Sequence, residues 1–192
     1  MQIDQERFRQ ILASRSPGGK EKTAISKILY RVPPLLWGRA AAQSTVEFLA
    51  GIPALEELSQ KELGQLAQVM HERSFGDGEV IYEQGTPSAA LYIIRNGSVE
   101  MIRKADGAEA VLATLAPNEL FGEIALLIDE GARFAGTRSR GSSDLLALSR
   151  PDFETLMVRS PIASVKFLRA IGRIVAEKFR LLMETMEAGS AE

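Results

Sequence analysis

From Phe75 to Leu148 the chain consists of short apolar runs, "VIY", "LYII", "SVEMI", "AVLATL" and "LLAL". Between them stand turn residues at Gly76-Asp77-Gly78, Gly85, Asn96-Gly97 and Asp106-Gly107. This punctuation restricts the fold more than any other feature. Runs this short, spaced about eight to twelve residues apart with glycine at the breaks, suit strands joined by tight turns. An antiparallel sandwich or barrel follows, and closed forms are the usual way to remove exposed strand edges at this size. No period is long enough for a solenoid repeat.

Helical signals flank this block. Ser44-Thr45-Val46-Glu47 and Ser59-Gln60-Lys61-Glu62 each fit a capping box, in which Ser and Glu side chains satisfy amides left open at a helix start. They predict short helices near 44–50 and 59–71. After the strands, Arg150 to Arg159 reads as a short helix, and Ser160-Pro161 supplies an N-cap and an N1 proline for the next. In that last helix Val165, Leu168, Gly172, Val175, Phe179, Leu182 and Met186 keep 3-4 spacing, and Ile171, Ile174 and Leu181 add a second apolar flank. A helix apolar on two faces must bury both, one on its own domain and one elsewhere. The 3.5-residue period favours a second copy of the same helix, hence a homodimer, over purely internal packing.

The first 44 residues differ. They hold eight basic side chains (Arg7, Arg9, Arg15, Lys20, Lys22, Lys27, Arg31, Arg39) against Asp4, Glu6 and Glu21, a net of +5. Since the whole chain carries −2, the remainder carries −7. This basic arm, 1–44, contains a helical stretch from about Asp4 to Ala13, the breaker "SRSPGGKEK", and an apolar segment with Ile25, Ile28, Leu29, Leu35, Leu36 and Trp37, interrupted by Pro33-Pro34. It packs on its own domain or a dimer mate; docking to an acidic partner or a membrane surface is the alternative. Residues 45–192 form the folded domain, closed by a helix over about 160–188.

Composition excludes several chemistries. There is no cysteine, so no thiol nucleophile, disulfide or thiolate metal site. His71 is the one histidine, placed at a helix end without an acidic or thiol companion, which argues against a triad or zinc centre. No Walker-type loop occurs. An enzyme is not expected, nor is a metal or cofactor. No window has the apolar length of a membrane span and Met1 to Gln10 is polar, so a cytoplasmic location is the expectation.

The order of these elements resembles the cyclic-nucleotide-binding domain, the catabolite-activator-like β-roll, from about Val46 to Met186. "GEVIYEQGTPSAALYIIRNGSVEMI" is similar to the family's opening hairpins, with Gly78, Gly85 and Gly97 at its turn glycines. "LAPNELFGEIALL" is similar to its run into the phosphate cassette, with Asn118 where glycine is usual; asparagine tolerates the left-handed turn conformation. "RFAGTRSRGSSDLLALSRPDF" keeps the family's spacing, with Phe153 following Arg133 by 20 positions. The resemblance implies an α+β fold: an antiparallel β-roll or jelly roll of eight short strands, flanking N-terminal helices and a long C-terminal helix.

A cyclic phosphodiester is best held by a planar guanidinium, backed by backbone amides and a hydroxyl, and a ribose hydroxyl by a carboxylate. Gly122, Glu123, Ile124, Ala125 and Arg133 suit these roles by type and order. In the resemblance Glu123 accepts from the ribose, Arg133 clamps the phosphate, and the Ala135 amide adds a donor. The ligand implied is cyclic AMP or cyclic GMP. Phe134 and Gly136 depart from the pattern, which puts Thr or Ser after the arginine and again two residues later. Losing a hydroxyl bond to a charged group weakens binding about 10- to 100-fold. Phe134 either sets a ring beside the phosphate or fills the core. Glu123 otherwise serves only as a charge at a helix start, and Arg133 otherwise pairs with Glu123 or another carboxylate. Lys178 and Phe179 fall where closing-helix side chains read the purine.

Two functions follow: a stand-alone regulatory module that binds a cyclic nucleotide and signals to a protein partner through its last helix, or a roll that has lost its ligand and serves as a dimerisation or interaction scaffold. No helix-turn-helix follows the last helix, so direct DNA binding is not expected.

Overall fold

The structure, a computed structural model, describes residues 44–188 apart from 106 and 129–130, with the side chains of 185–188 left aside. The arm up to residue 43 and the side chain of Met186 therefore lie outside what is described. Helix α1 (Thr45–Ala50) and, after a 3-10 turn at Pro53–Leu55, helix α2 (Gln60–Ala67) precede six strands: β1 (His71–Phe75), β2 (Val80–Tyr82), β3 (Ala90–Ala105), β4 (Ala108–Leu115), β5 (Leu120–Phe121) and β6 (Gly136–Ser149). A one-turn helix, α3 (Ile124–Leu127), interrupts them, and α4 (Arg150–Arg159) and α5 (Pro161–Ala188) close the chain.

Both capping boxes form. The Ser44 and Ser59 hydroxyls accept from the Glu47 and Glu62 amides, and each glutamate accepts from the cap amide in return. Helix α2 stops at Ala67, short of the expected 71, and His71 opens a strand instead of ending a helix. The segment "HERSF" is polar and carries no strand signature of its own. Antiparallel pairing with β6, from His71↔Ala147 to Phe75↔Ser143, recruits it.

The strand count is the second correction. Eight short strands were expected; six form among the described residues, because β3 runs 16 residues and β6 runs 14. "LYII" and "SVEMI" belong to one strand, and Asn96-Gly97 is a bend inside it, marked by register shifts on both sides of Asn96. Gly97 has φ +79, and a Cβ there would sit 2.2 Å from the Ser142 carbonyl oxygen, so only glycine lets the two bent strands cross this closely. The order β1-β6-β3-β4 is antiparallel throughout, with β2 on β6 and β5 on β3. Asn118 does take the left-handed conformation, φ 72.

Strands β3 and β6 are buried on both faces over residues 90–94 and 145–148. Adjacent residues point opposite ways, so Ile93 and Leu146 join a core shared with the helices (Leu49, Leu55, Leu66, Phe153, Phe167, Ile171), while Ile94 and Leu145 join the roll's interior with Val99, Leu115 and Phe121. Each fully buried side chain of this size stabilises by about 1.5–3 kcal/mol. The two long strands thus form a wall with a helical layer on one side and the site on the other.

On α5, Ala163, Ser164, Phe167, Ala170 and Ile171 are buried against the domain. The 3-4 seam read from the sequence meets that face only in part: Val165 and Phe179 are 58% and 53% exposed, whereas Leu168 and Val175, half-buried, pack on the helical core. Ile171 and Ile174 of the second flank pack on the same core. Lys166 is 2.7 Å from Glu62, and Arg169 and Arg173 both reach Glu57, so charge pairs tie the first half of α5 to α2 and the turn before it.

Candidate functional site

Arg133 is fixed first by backbone. The Gly85 turn, φ +83, sends residues 85–88 alongside 131–133: Gly85 N donates to Arg133 O and Arg133 N donates to Thr86 O, both at 2.8 Å. This pairing holds the Arg133 side chain inward, where it is 7% exposed. Its Nη2 donates to Ala90 O at 2.7 Å, Nη1 lies 3.5 Å from Gly122 O, and the guanidinium carbon stands 3.9 Å over the Tyr82 ring. Nε is buried with no hydrogen-bond partner. Among the described residues no carboxylate lies within salt-bridge distance, so the expected alternative of an Arg133–Glu123 pair does not form.

Gly122 faces this arginine. Its φ is +75, and a Cβ would fall 2.6 Å from Arg133 Nη1 and 2.9 Å from Ala90 O. Glycine is thus required twice, by backbone conformation and by the guanidinium. The turn continues with Ala125 N and Leu126 N donating to Gly122 O and Glu123 O, both at 3.0 Å. Ala125 is fully buried and Ile124 40% exposed.

Glu123 occupies the N-cap position of α3 but its side chain makes no capping bond. It is not merely a helix-start charge, because Oε1 accepts from Lys178 Nζ of α5 at 3.0 Å. Lys178, which the resemblance places near the purine, bonds this carboxylate. Phe179, its neighbour, points outward.

Phe134 is not core filler. Its ring is 56% exposed, with the Arg103 guanidinium 4.5 Å from its centroid. Ala135 beyond it is buried. Gly136 has a packing reason: a Cβ there would stand 3.2 Å from Gln84 N, where the chain leaving β2 crosses it. Gln84 is itself held by Lys104, whose amide donates to Oε1 at 2.8 Å.

Sequence reasoning missed Tyr82, read only as part of a strand. It forms an aromatic wall with Tyr92 and Phe121, whose rings stack at 5.2 Å, and burial pushes its phenol up to about 12. Strand alternation could have pointed it inward; nothing in sequence could pair it with Arg133. His71 does have an acidic companion, Asp152 at 3.2 Å, which also bonds Ser149 at the start of α4. That pair is exposed and remote from Arg133 in the chain. Among the described residues no group of three or more His, Cys, Asp or Glu side chains could hold a metal ion, and no helix is long and apolar enough to cross a membrane.

An antiparallel roll, a Gly-Glu turn running into one helical turn, an inward arginine and a long closing helix define the class. Residues 72–160 match the cyclic nucleotide-binding domain family and form a domain of that family. It is 34% identical over 130 residues to the cyclic AMP receptor protein of Thermus thermophilus, covering 67% of this chain and 60% of that protein. It is 36% identical over 114 residues to a cAMP-dependent protein kinase regulatory subunit of Dictyostelium discoideum, covering 57% of this chain and 35% of that protein. The chain thus spans about 60% and 35% of the length of these two relatives. Among solved structures, the N-terminal domain of a transcriptional regulator from Streptomyces coelicolor aligns with TM-score 0.60 at 30% identity, over 68% of this chain and 93% of that one. The Thermus thermophilus catabolite activator protein aligns with TM-score 0.59 at 32% identity, over 70% and 63%.

Proposed function

We propose that the protein is a non-enzymatic regulatory module whose roll binds a cyclic nucleotide, cyclic AMP or cyclic GMP, and whose closing helix passes the bound state to a protein partner. One observation carries this reading: a guanidinium buried at Arg133, with no described carboxylate beside it and an unused Nε donor. Burying a charge costs several kcal/mol unless a counter-charge answers it. A phosphodiester monoanion is such a counter-charge, and Arg133 can face it with paired N–H donors. Gly122 gives the anion close access to the turn, Glu123 accepts a sugar hydroxyl, the Ile124 and Ala125 turn shapes the floor, and Phe134 and Ala135 border the phosphate. The names of the two relatives, a cyclic AMP receptor and a cAMP-dependent regulatory subunit, support the ligand class.

Ligand binding shifts a two-state equilibrium only through contacts that differ between the states. The element placed to differ is α5. Its outer stripe of Ile162, Val165 and Phe179, each more than half exposed, fits a second copy of the same helix, and the module is a homodimer in this reading.

Calorimetric titration of cyclic AMP, cyclic GMP and cyclic dinucleotides into the wild type and Arg133→Ala tests it. Saturable binding lost in the variant is expected; no heat from any of them at millimolar concentration refutes it. A second reading has its own support. Arg133 already leans on two backbone carbonyls and Glu123 already holds Lys178, as in a roll that keeps its frame as a protein-interaction scaffold without ligand. The same titration separates the two.

A further inference from the structure

The closing helix reaches the cassette through Lys178. Its Nζ lies 3.0 Å from Glu123 Oε1 and 3.5 Å from Leu120 O, and the two side chains are only 19% and 16% exposed. Lys166, Arg169 and Arg173, earlier on the same helix, pair with Glu57 and Glu62 of the N-terminal region. Lys178 therefore connects α5 to the very carboxylate assigned to the ligand's sugar.

A carboxylate has two oxygens and about four acceptor sites. With Lys178 on Oε1, Oε2 remains for a hydroxyl. We propose that Lys178 is a positioning residue of the ligand site: it orients Glu123 through Oε1, balances its charge, and links sugar recognition to the placement of the closing helix. This rests on the cyclic-nucleotide reading above. Sharing is favoured over competition because a ligand that displaced Lys178 would strip a largely buried ammonium of this counter-charge, whereas a hydroxyl donating to the second oxygen adds a bond without breaking one. The sugar hydroxyl and Lys178 then reinforce each other through one carboxylate.

The test is a cycle between side chain and ligand. Wild type, Lys178→Met and Lys178→Arg are titrated with cyclic AMP and with 2′-deoxy cyclic AMP. Methionine keeps the stem and its packing but removes the charge. The expected result is a loss of about 10-fold for cyclic AMP in Lys178→Met, the scale of one charge-assisted bond. For the 2′-deoxy ligand, which has no hydroxyl to offer Glu123, the two proteins should agree within about twofold, and Lys178→Arg should recover most of the loss. Equal or tighter cyclic AMP binding in Lys178→Met overturns the proposal and makes the lysine a competitor. The same loss with both ligands also overturns it and makes the lysine structural. If the wild type binds neither ligand, the parent reading itself falls and this one with it; if the wild type binds and Lys178→Met is indistinguishable, only the role of Lys178 falls.

Discussion

Arg133→Met should separate stability from binding. The substitution removes the 2.7 Å bond from Nη2 to Ala90 O, worth about 1.5–3 kcal/mol for a charged donor. It also removes the contact of the guanidinium with the Tyr82 ring, worth about 2 kcal/mol when desolvated. Against these stands relief of a buried charge that no described carboxylate balances, several kcal/mol in the opposite direction. Methionine fills similar volume and adapts its shape. The opposing effects nearly cancel, so the ligand-free variant should melt within about 5 °C of the wild type, roughly 1–2 kcal/mol for a domain this size. Ligand should then tell the proteins apart. Cyclic nucleotide at 100 times its Kd stabilises the wild type by about 2.7 kcal/mol, a rise of about 8 °C. Losing a charge-assisted clamp worth about 3 kcal/mol lowers affinity by about 100-fold, which leaves a rise near 1 °C in the variant. Thermal melts of both proteins with and without ligand decide the matter. A variant that loses more than about 4 kcal/mol without ligand would show that the guanidinium holds the fold together. An undiminished ligand-induced rise would show that the anion binds elsewhere.

Gly122→Ala should cost about 1–2 kcal/mol for the left-handed backbone alone, and its Cβ, 2.6 Å from Nη1, should displace Arg133; chemical denaturation and ligand titration should report both losses together. Phe134→Thr should cost about 0.5–1 kcal/mol through the lost Arg103 contact and tighten cyclic-nucleotide binding about 10-fold by restoring a hydroxyl; unchanged affinity would mean that position 134 does not reach the phosphate. Glu62 is held at about 2, first by Lys166 and then by Ser59, so its folded value lies below its unfolded one. Its contribution is complete above about pH 4.5 and lost as pH falls toward 2, so the melting-temperature gap between wild type and Glu62→Gln should be constant above pH 5 and close on acidification. Val165→Asp with Phe179→Asp, both at exposed positions, should leave the fold's stability within about 0.5 kcal/mol while converting a dimer to monomers in sedimentation; a wild type that sediments as a monomer would refute the helix-pairing reading.

The legibility of the chain followed the range of the interactions. Capping boxes at Ser44 and Ser59, the break at Ser160-Pro161 and the left-handed turns at Gly78, Gly85 and Asn118 depend on neighbours within a few residues, and the sequence placed each correctly. The strand at His71–Phe75 and the merging of two expected strands across Asn96-Gly97 depend on β6, some 45 to 75 residues away in the chain, and could not be read locally. The site divides the same way. Residue type and spacing picked out Gly122, Glu123 and Arg133 as a set, because order along the chain is what those features record.

Which groups those residues meet was decided in three dimensions. The sequence allowed Arg133 a carboxylate, and the fold gave it two carbonyls and the face of Tyr82. It allowed Phe134 a place in the core, and the backbone bend between the inward Arg133 and Ala135 turned the ring outward onto Arg103. It left the partner of Lys178 open, and the path of α5 across the roll brought it to Glu123. The sequence alone determined the capped helices, the turns and the resemblance to the family, since short-range sterics and periodicity act along the chain. The tertiary structure decided the partners of every charge in the site, because a buried ion takes whatever acceptor the packing brings within about 3 Å, however far away in sequence that acceptor lies.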